Sequence, residues 1–196
     1  MDRTKCMGSY LRKNIEVLQG YTPGEQPRDV NQFVKLNTNE NPYPPSPVVE
    51  HAVRHYDPGK LRIYPDPVFT RLLNMAAKVY KVPEEQIFAG NGSDEVLSMI
   101  MRIAVDPGER VTYPYPTYVL YRTLTEIAGG EPVEVDLLED FSLPQDFPKF
   151  AGKVTFFARP NSPTANVFDQ EIIEETLQQD KGLVVVDEAY GDFSGV

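Results

Sequence analysis

The sequence predicts an α/β fold: a three-layer α/β/α arrangement with a mostly parallel sheet, preceded by an N-terminal arm. Three observations predict it. From about residue 87 onward, short apolar runs alternate with segments of helical periodicity, as in a parallel sheet with helices on both faces. The run Leu183-Val184-Val185-Val186 has no polar alternation, which suits a strand covered on both faces, and it ends in Asp187-Glu188. Finally, Tyr21 to Pro47 is rich in Pro, Asn and Gly, so it can form neither a long helix nor a central strand. With few apolar residues, this arm must lie on a larger body. The chain therefore reads as an arm with a first helix, residues 1–60, and a partial large domain, residues 61–196.

The elements follow in order. Leu11, Ile15 and Leu18 recur at helical spacing and predict a short helix; Val34-Lys35-Leu36 is one short extended piece. Ser46-Pro47 opens a second helix, with proline at its favoured first position and Val48, Val49, Ala52 and Val53 following, before Pro58-Gly59. His51 and His55 share a face of it. That spacing could hold a metal, but the glutamate of an H-E-x-x-H motif is missing and no third ligand is near, so a solvated face is the better reading. Ile63 to Pro67 is a rigid link, and residues 69–80 are helical. Ile87-Phe88-Ala89 reads as a strand. A helix from Asp94 to Val105 should turn Val96, Leu97, Ile100, Met101, Ile103 and Ala104 inward, and Asp106-Pro107-Gly108 stops it. Strands are expected at 110–113, 132–135, 154–158 and from 183, helices at 117–128 and 170–179, a Pro-broken loop at 136–149 and a turn at 160–166.

Composition narrows the function classes. With 41% hydrophobic and 24% charged residues over 196, wholesale disorder is excluded. A formal charge of −10 argues against a nucleic-acid backbone as partner, while leaving room for one small anion site. Cys6 is the single cysteine, so no internal disulfide forms and a reducing compartment fits. The first twenty residues carry no apolar leader segment, and no apolar run is long enough to span a bilayer. A soluble, cytoplasmic protein with no membrane partner is the expectation.

Asp187 stands at the carboxyl end of its strand, the edge where open α/β sheets bind ligands, and a carboxylate there needs a partner. Three readings compete. A Walker-B acid would hold Mg²⁺, but no lysine has the G-x-x-x-x-G-K-[ST] context; Lys60 follows Pro58-Gly59 and precedes Leu61. A carboxylate can instead keep the ring nitrogen of pyridoxal 5'-phosphate protonated, making that cofactor an electron sink. The plain alternative is an aspartate capping the next turn.

Gly90-Asn91-Gly92-Ser93-Asp94 joins a strand to a helix start. Glycines let backbone approach a ligand, and free N–H groups with the helix dipole favour an anion. Simple N-capping by Ser93 or Asp94, worth about 1 kcal/mol, explains the same residues. Glu95 occupies the third glycine position of G-x-G-x-x-G, so a Rossmann dinucleotide site is disfavoured. Tyr113, Tyr115, Tyr118 and Tyr121 crowd one strand end and the helix after it, stiffened by Pro114 and Pro116. One could stack on a flat ligand while most simply pack.

Taken in order, Tyr21-Thr-Pro-Gly-Glu-Gln-Pro27, Leu36-Asn-Thr-Asn-Glu-Asn-Pro42, Tyr64-Pro65, Gly92-Ser-Asp-Glu95, Tyr115-Pro-Thr-Tyr118, Pro160-Asn-Ser-Pro-Thr164 and Val186-Asp-Glu-Ala-Tyr190 resemble the fold-type I pyridoxal-phosphate aminotransferases, closest to the histidinol-phosphate aminotransferase group. The resemblance covers nearly the whole chain from about residue 10. It implies Ser93 and Asp94 at the cofactor phosphate, Tyr118 stacked on the pyridine ring and Asp187 on the ring nitrogen. Tyr190 would contact the phenolic oxygen, Tyr64 would reach the phosphate of the neighbouring subunit's cofactor in a homodimer, and Tyr21 would sit near the substrate. It further implies transfer of an amino group between histidinol phosphate or an aromatic amino acid and 2-oxoglutarate. A decarboxylase or lyase on the same cofactor, or a non-catalytic cofactor-binding or dimerising fragment, are the alternatives.

Two departures from the family pattern stand out. Relatives often read Pro-Asn-Asn-Pro-Thr-Gly where this chain has Pro160-Asn161-Ser162-Pro163-Thr164-Ala165, so either Asn161 or Ser162 must serve the phenolic oxygen. Alanine in place of that glycine implies a turn that avoids positive φ. The family's Schiff-base lysine follows the Asp-Glu-Ala-Tyr motif by some tens of residues, and no lysine here matches its context. The 196 residues alone are therefore expected to be inactive, with an incomplete sheet of poor stability.

Overall fold

The computed structural model describes residues 10–18, 34–36 and 39–195. In chain order its elements are α1 (Lys13–Glu16), α2 (Pro47–Arg54), α3 (Thr70–Tyr80), α4 (Ser93–Ala104), β1 (Arg110–Tyr115), α5 (Leu120–Ala128), β2 (Glu131–Asp136), β3 (Val154–Ala158), α6 (Gln170–Gln178) and β4 (Leu183–Asp187). They fall into two compact units: residues 19–88, and residues 1–18 together with 89–196.

The second unit carries the sheet. Its strands run in the order β2-β1-β3-β4, all parallel. From β1 the chain moves outward to β2, then crosses back to lay β3 on the other side of β1. That reversal opens a crevice at the strands' carboxyl ends, the usual ligand position in such sheets. Successive strand residues point to opposite faces. Phe156 accordingly joins Val111, Tyr113, Leu97, Met101, Tyr121 and Leu124 on the α4/α5 face. Phe157 joins Val135, Phe147, Phe168, Ile172 and Ile173 on the α6 face. The three-layer α/β/α arrangement is thus built from β3, every residue of which is buried. Short α1 closes the far end of α5: Arg12 donates at 2.7 Å to the Ile127 carbonyl, which the helix terminus leaves open, and Asn14 adds a second donor at 2.8 Å to the Glu126 carbonyl, which already accepts the Gly129 N–H.

Several expectations are corrected. The apolar run of β4 is not covered on both faces: it lies at the end of the strand order, with Leu183 46% and Val186 39% exposed. Ile87-Phe88-Ala89 is not a strand, because so short a segment needs ladder hydrogen bonds from a neighbour and has none among the described residues. Ile103 faces solvent at 83% exposure, because the buried stripe of α4 is set by Leu97 and Met101 and Ile103 falls on the other side. Helix α5 starts at Leu120 rather than Thr117, whose hydroxyl is bonded to Asn161. Ala165 does adopt a left-handed conformation, φ +60°, within a turn closed by Asn161 and Asn166.

The unit 19–88 has no buried residue among those described. Helix α2 starts at Pro47 as expected, and the His51 and His55 rings stack with centroids 3.9 Å apart.

Candidate functional site

At the carboxyl edge of the sheet lies a solvent-open pocket with a cavity volume of about 140 Å³, lined by Ser93, Asp94, Tyr118, Ala158, Pro160, Ser162, Asp187, Ala189 and Tyr190. The sheet register explains the convergence: Ala158 is paired with Asp187, so β3 and β4 end level with each other. Asp187 leaves β4, Ala158, Pro160 and Ser162 belong to the end of β3 and its exit turn, and Tyr118 to the loop after β1. Six residues expected at one ligand, Ser93, Asp94, Tyr118, Ser162, Asp187 and Tyr190, therefore border one cavity.

One end of the pocket is the start of α4. The N-cap is Gly92, at φ +86°, and it makes no side-chain cap bond. Capping by Ser93 or Asp94 is thus not what this loop does: both lie inside the first turn. Glu95 reaches back to accept the Asn91 N–H at 2.5 Å. Asp94 accepts the Tyr118 hydroxyl at 3.1 Å. A carboxylate repels an anion, so the groups at this end that can receive one are backbone N–H groups and the Ser93 hydroxyl.

The other end is Asp187, half-buried. One of its oxygens accepts the Tyr121 hydroxyl at 2.9 Å, the other the Ala189 N–H at 3.1 Å. Tyr121 is wholly buried. Its ring stacks on Phe156 at 4.7 Å and 5°, and meets Tyr118 edge-on at 5.7 Å and 88°. Burial, reinforced by the Asp187 charge, pushes the Tyr121 phenol far above its ordinary ionisation range. Tyr113 is raised too, by burial and by Glu134. Among the four tyrosines, Tyr118 borders the pocket, Tyr113 and Tyr121 are core, and Tyr115 is 50% exposed.

Asn161 is 2% exposed and faces away from the pocket. It accepts the Thr117 hydroxyl at 2.7 Å and donates to the Pro116 carbonyl at 3.0 Å and to Thr164 Oγ1 at 2.7 Å. Its amide is committed to joining the β1 and β3 exit loops, which leaves Ser162 as the polar side chain of that pair at the pocket. Tyr64 belongs to the unit 19–88 and is 98% exposed. Tyr21 lies outside the described residues.

Residues 31–195 match the family model for aminotransferase class I and II. The chain belongs to that family. It is 43% identical to histidinol-phosphate aminotransferase 1 of Trichormus variabilis over 96% of this chain and 54% of that protein. The chain thus spans about half the length of the curated relatives it matches. A structure of histidinol-phosphate aminotransferase from Sinorhizobium meliloti in complex with pyridoxal-5'-phosphate is similar at a TM-score of 0.70 and 24% identity, over 79% of this chain and 44% of that one. A Thermus thermophilus aspartate aminotransferase tetra mutant matches at 0.70 and 22% identity, over 89% and 50%. These likenesses establish the fold as that of the aminotransferases.

Thr117, Ala158 and Ala189 escaped the sequence reading as parts of the site, as did the bond from Tyr121, one of the four tyrosines weighed there, to Asp187. The positions of Ala158 and Ala189 were available from strand ends alone; the partners of Tyr121 and Thr117 required the tertiary register.

Proposed function

We propose that this pocket holds pyridoxal 5'-phosphate, and that the chain supplies the ring-nitrogen and phosphate ends of an aminotransferase site. The observation that carries this is the pairing of Asp187 with an uncapped helix start across one pocket, with Tyr118 on its wall. When bound, the cofactor acts as an electron sink for the bonds around the amino carbon of its substrate. The protein's part is positional. Asp187 keeps a proton on the ring nitrogen, the N–H groups at the start of α4 and Ser93 receive the phosphate, and Tyr118 packs on the ring. Ser162 and Tyr190, which line the same pocket, would serve the phenolic oxygen, and Asn161 would act through the loop it fixes.

The reaction we propose for the whole protein is amino transfer between histidinol phosphate or an aromatic amino acid and 2-oxoglutarate, in histidine biosynthesis, by a cytoplasmic homodimer. The 43% identity to histidinol-phosphate aminotransferase 1 supports the first substrate. Tyr64 would serve the neighbouring subunit's cofactor, and Tyr21 the substrate.

No lysine borders the pocket among the described residues. Transamination needs an amine to anchor the cofactor covalently and to carry a proton between carbons. We therefore propose that the 196 residues bind the cofactor without turning it over. This observation also favours a second reading, a cofactor-binding or dimerising piece.

Titration with pyridoxal 5'-phosphate, followed by absorbance and fluorescence, should show saturable binding that Asp187→Ala weakens by tenfold or more, given the roughly 1.5–3 kcal/mol of a hydrogen bond to a charged group. Adding an aromatic amino acid and 2-oxoglutarate should yield no keto-acid product. Binding indifferent to Asp187 would overturn the pocket assignment, and sustained product formation would overturn the proposed inactivity.

A further inference from the structure

We infer that Tyr121 is a positioning residue for Asp187: its buried hydroxyl holds the carboxylate so that a proton shared with the cofactor ring nitrogen rests on the nitrogen. The inference rests on the pocket assignment above and concerns a residue outside the pocket lining.

The geometry gives each Asp187 oxygen one donor: Tyr121 Oη, from outside the pocket lining, on one at 2.9 Å, and the N–H of Ala189, which lines the pocket, on the other at 3.1 Å. These donors take one acceptor direction on each oxygen and leave the others for the pocket. They differ in rigidity. The Ala189 N–H belongs to the short turn that follows β4, whereas Tyr121 sits on α5 with its ring at 0% exposure. Phe156 lies flat against that ring and Tyr118 meets its edge. The hydroxyl therefore cannot swing away without displacing the core between α5 and β3.

The chemistry follows from the direction of the bond. A hydrogen bond donated to a carboxylate favours its charged form over its protonated form. With the phenol in place, a proton placed between Asp187 and a pyridine nitrogen is held by the nitrogen. Without it, the carboxylate competes harder and draws the proton toward itself. Tyr121 cannot become an anion in this environment, since burial and the neighbouring Asp187 charge both oppose ionisation, so its role is that of a permanent donor. Because the same ring braces Tyr118, one residue links the charge at one end of the pocket to the aromatic side chain on its wall.

The test uses the chain loaded with pyridoxal 5'-phosphate labelled with ¹⁵N in the ring. The ring ¹⁵N resonance is read beside cofactor affinity in the unaltered chain, in Tyr121→Phe and in Asp187→Asn. The unaltered chain should show a protonated ring. Tyr121→Phe keeps the stacked ring; it should move the resonance toward the unprotonated value and weaken binding about tenfold, on the scale of one hydrogen bond to a charged group. Asp187→Asn should abolish the protonated signal. Fluorotyrosine incorporated at position 121 makes the hydroxyl a stronger donor with the packing retained, and should move the resonance the opposite way; it decides the matter should Tyr121→Phe fail to fold. A protonated ring whose resonance is the same with and without the Tyr121 hydroxyl, or with fluorotyrosine, overturns the role of Tyr121 and leaves the pocket assignment standing. A chain that binds no cofactor, or binds it with an unprotonated ring, overturns both.

Discussion

Helices of the same amphipathic kind meet opposite fates in the two units. In α4, Leu97 and Met101 are 3% and 1% exposed, sealed against α5 and the sheet. In α3, Leu72, Met75 and Val79 recur at the same helical spacing and are 55%, 58% and 68% exposed. Periodicity specifies that a segment is helical and which of its faces is apolar. What covers that face is a separate property, supplied in one unit by four strands and absent in the other among the described residues. The pocket forms in the unit where the faces are covered, because side chains such as Tyr121 can be held to a fixed distance only by neighbours on every side.

The contrast predicts unequal energetics. Phe157→Ala removes a wholly buried ring from the α6 face and should cost about 3–5 kcal/mol in denaturant unfolding, whereas Leu72→Ala should cost less than about 0.5 kcal/mol. Similar losses at both positions would mean that α3 is covered after all.

A smaller effect should appear with alkali. The folded-state pKa of Tyr121 is raised above its ordinary value of 10.0, chiefly by burial and then by Asp187. Below pH 10 folded and unfolded chains both keep the proton, and this contribution to stability is complete. Above it the unfolded chain ionises while Tyr121 in the folded chain does not. Stability should then fall by about 1.4 kcal/mol per pH unit for this residue. Denaturation curves between pH 9 and 11 measure the slope; Tyr121→Phe should lessen it by that amount, leaving the part due to Tyr113, whose phenol is raised as well, and an unchanged slope would place the Tyr121 phenol in water rather than in the core.

The smallest change belongs to the exit turn of β3. Ala165→Gly relieves about 1 kcal/mol of left-handed strain, offset by the greater freedom of glycine in the unfolded chain, so stability should shift by less than about 1 kcal/mol. A larger loss in thermal or chemical unfolding would show that the methyl group packs against something.

The packed unit was legible from sequence to the extent that local pattern determines it. Val154–Ala158 and the start of β4 were placed to the residue, since apolar β-branched and aromatic runs between turn signals have few other uses. The grouping of Ser93, Asp94, Tyr118, Ser162, Asp187 and Tyr190 at one pocket was legible through the order of short motifs. Four things were not. The edge position of β4 depends on which strands flank it, and an apolar run reads alike at a sheet's edge and at its centre. The strand expected at Ile87 needs a neighbour that the segment itself does not reveal. The left-handed Ala165 is held by side chains of Asn161, Thr164 and Asn166, whose mutual bonds exist only once the turn has closed. The Tyr121 contact with Asp187 is hidden for the same reason: it spans 66 positions of sequence.

Asn161 carries one further consequence. Because its amide is knotted to Thr117, Pro116 and Thr164, the mouth of the pocket behaves as a single rigid rim rather than as two independent flaps. Such a rim separates the duty of holding shape from the duty of touching a guest. Ser162 takes no part in that bracing and is left to the pocket, while a replacement at position 161 needs both a donor and an acceptor to keep it.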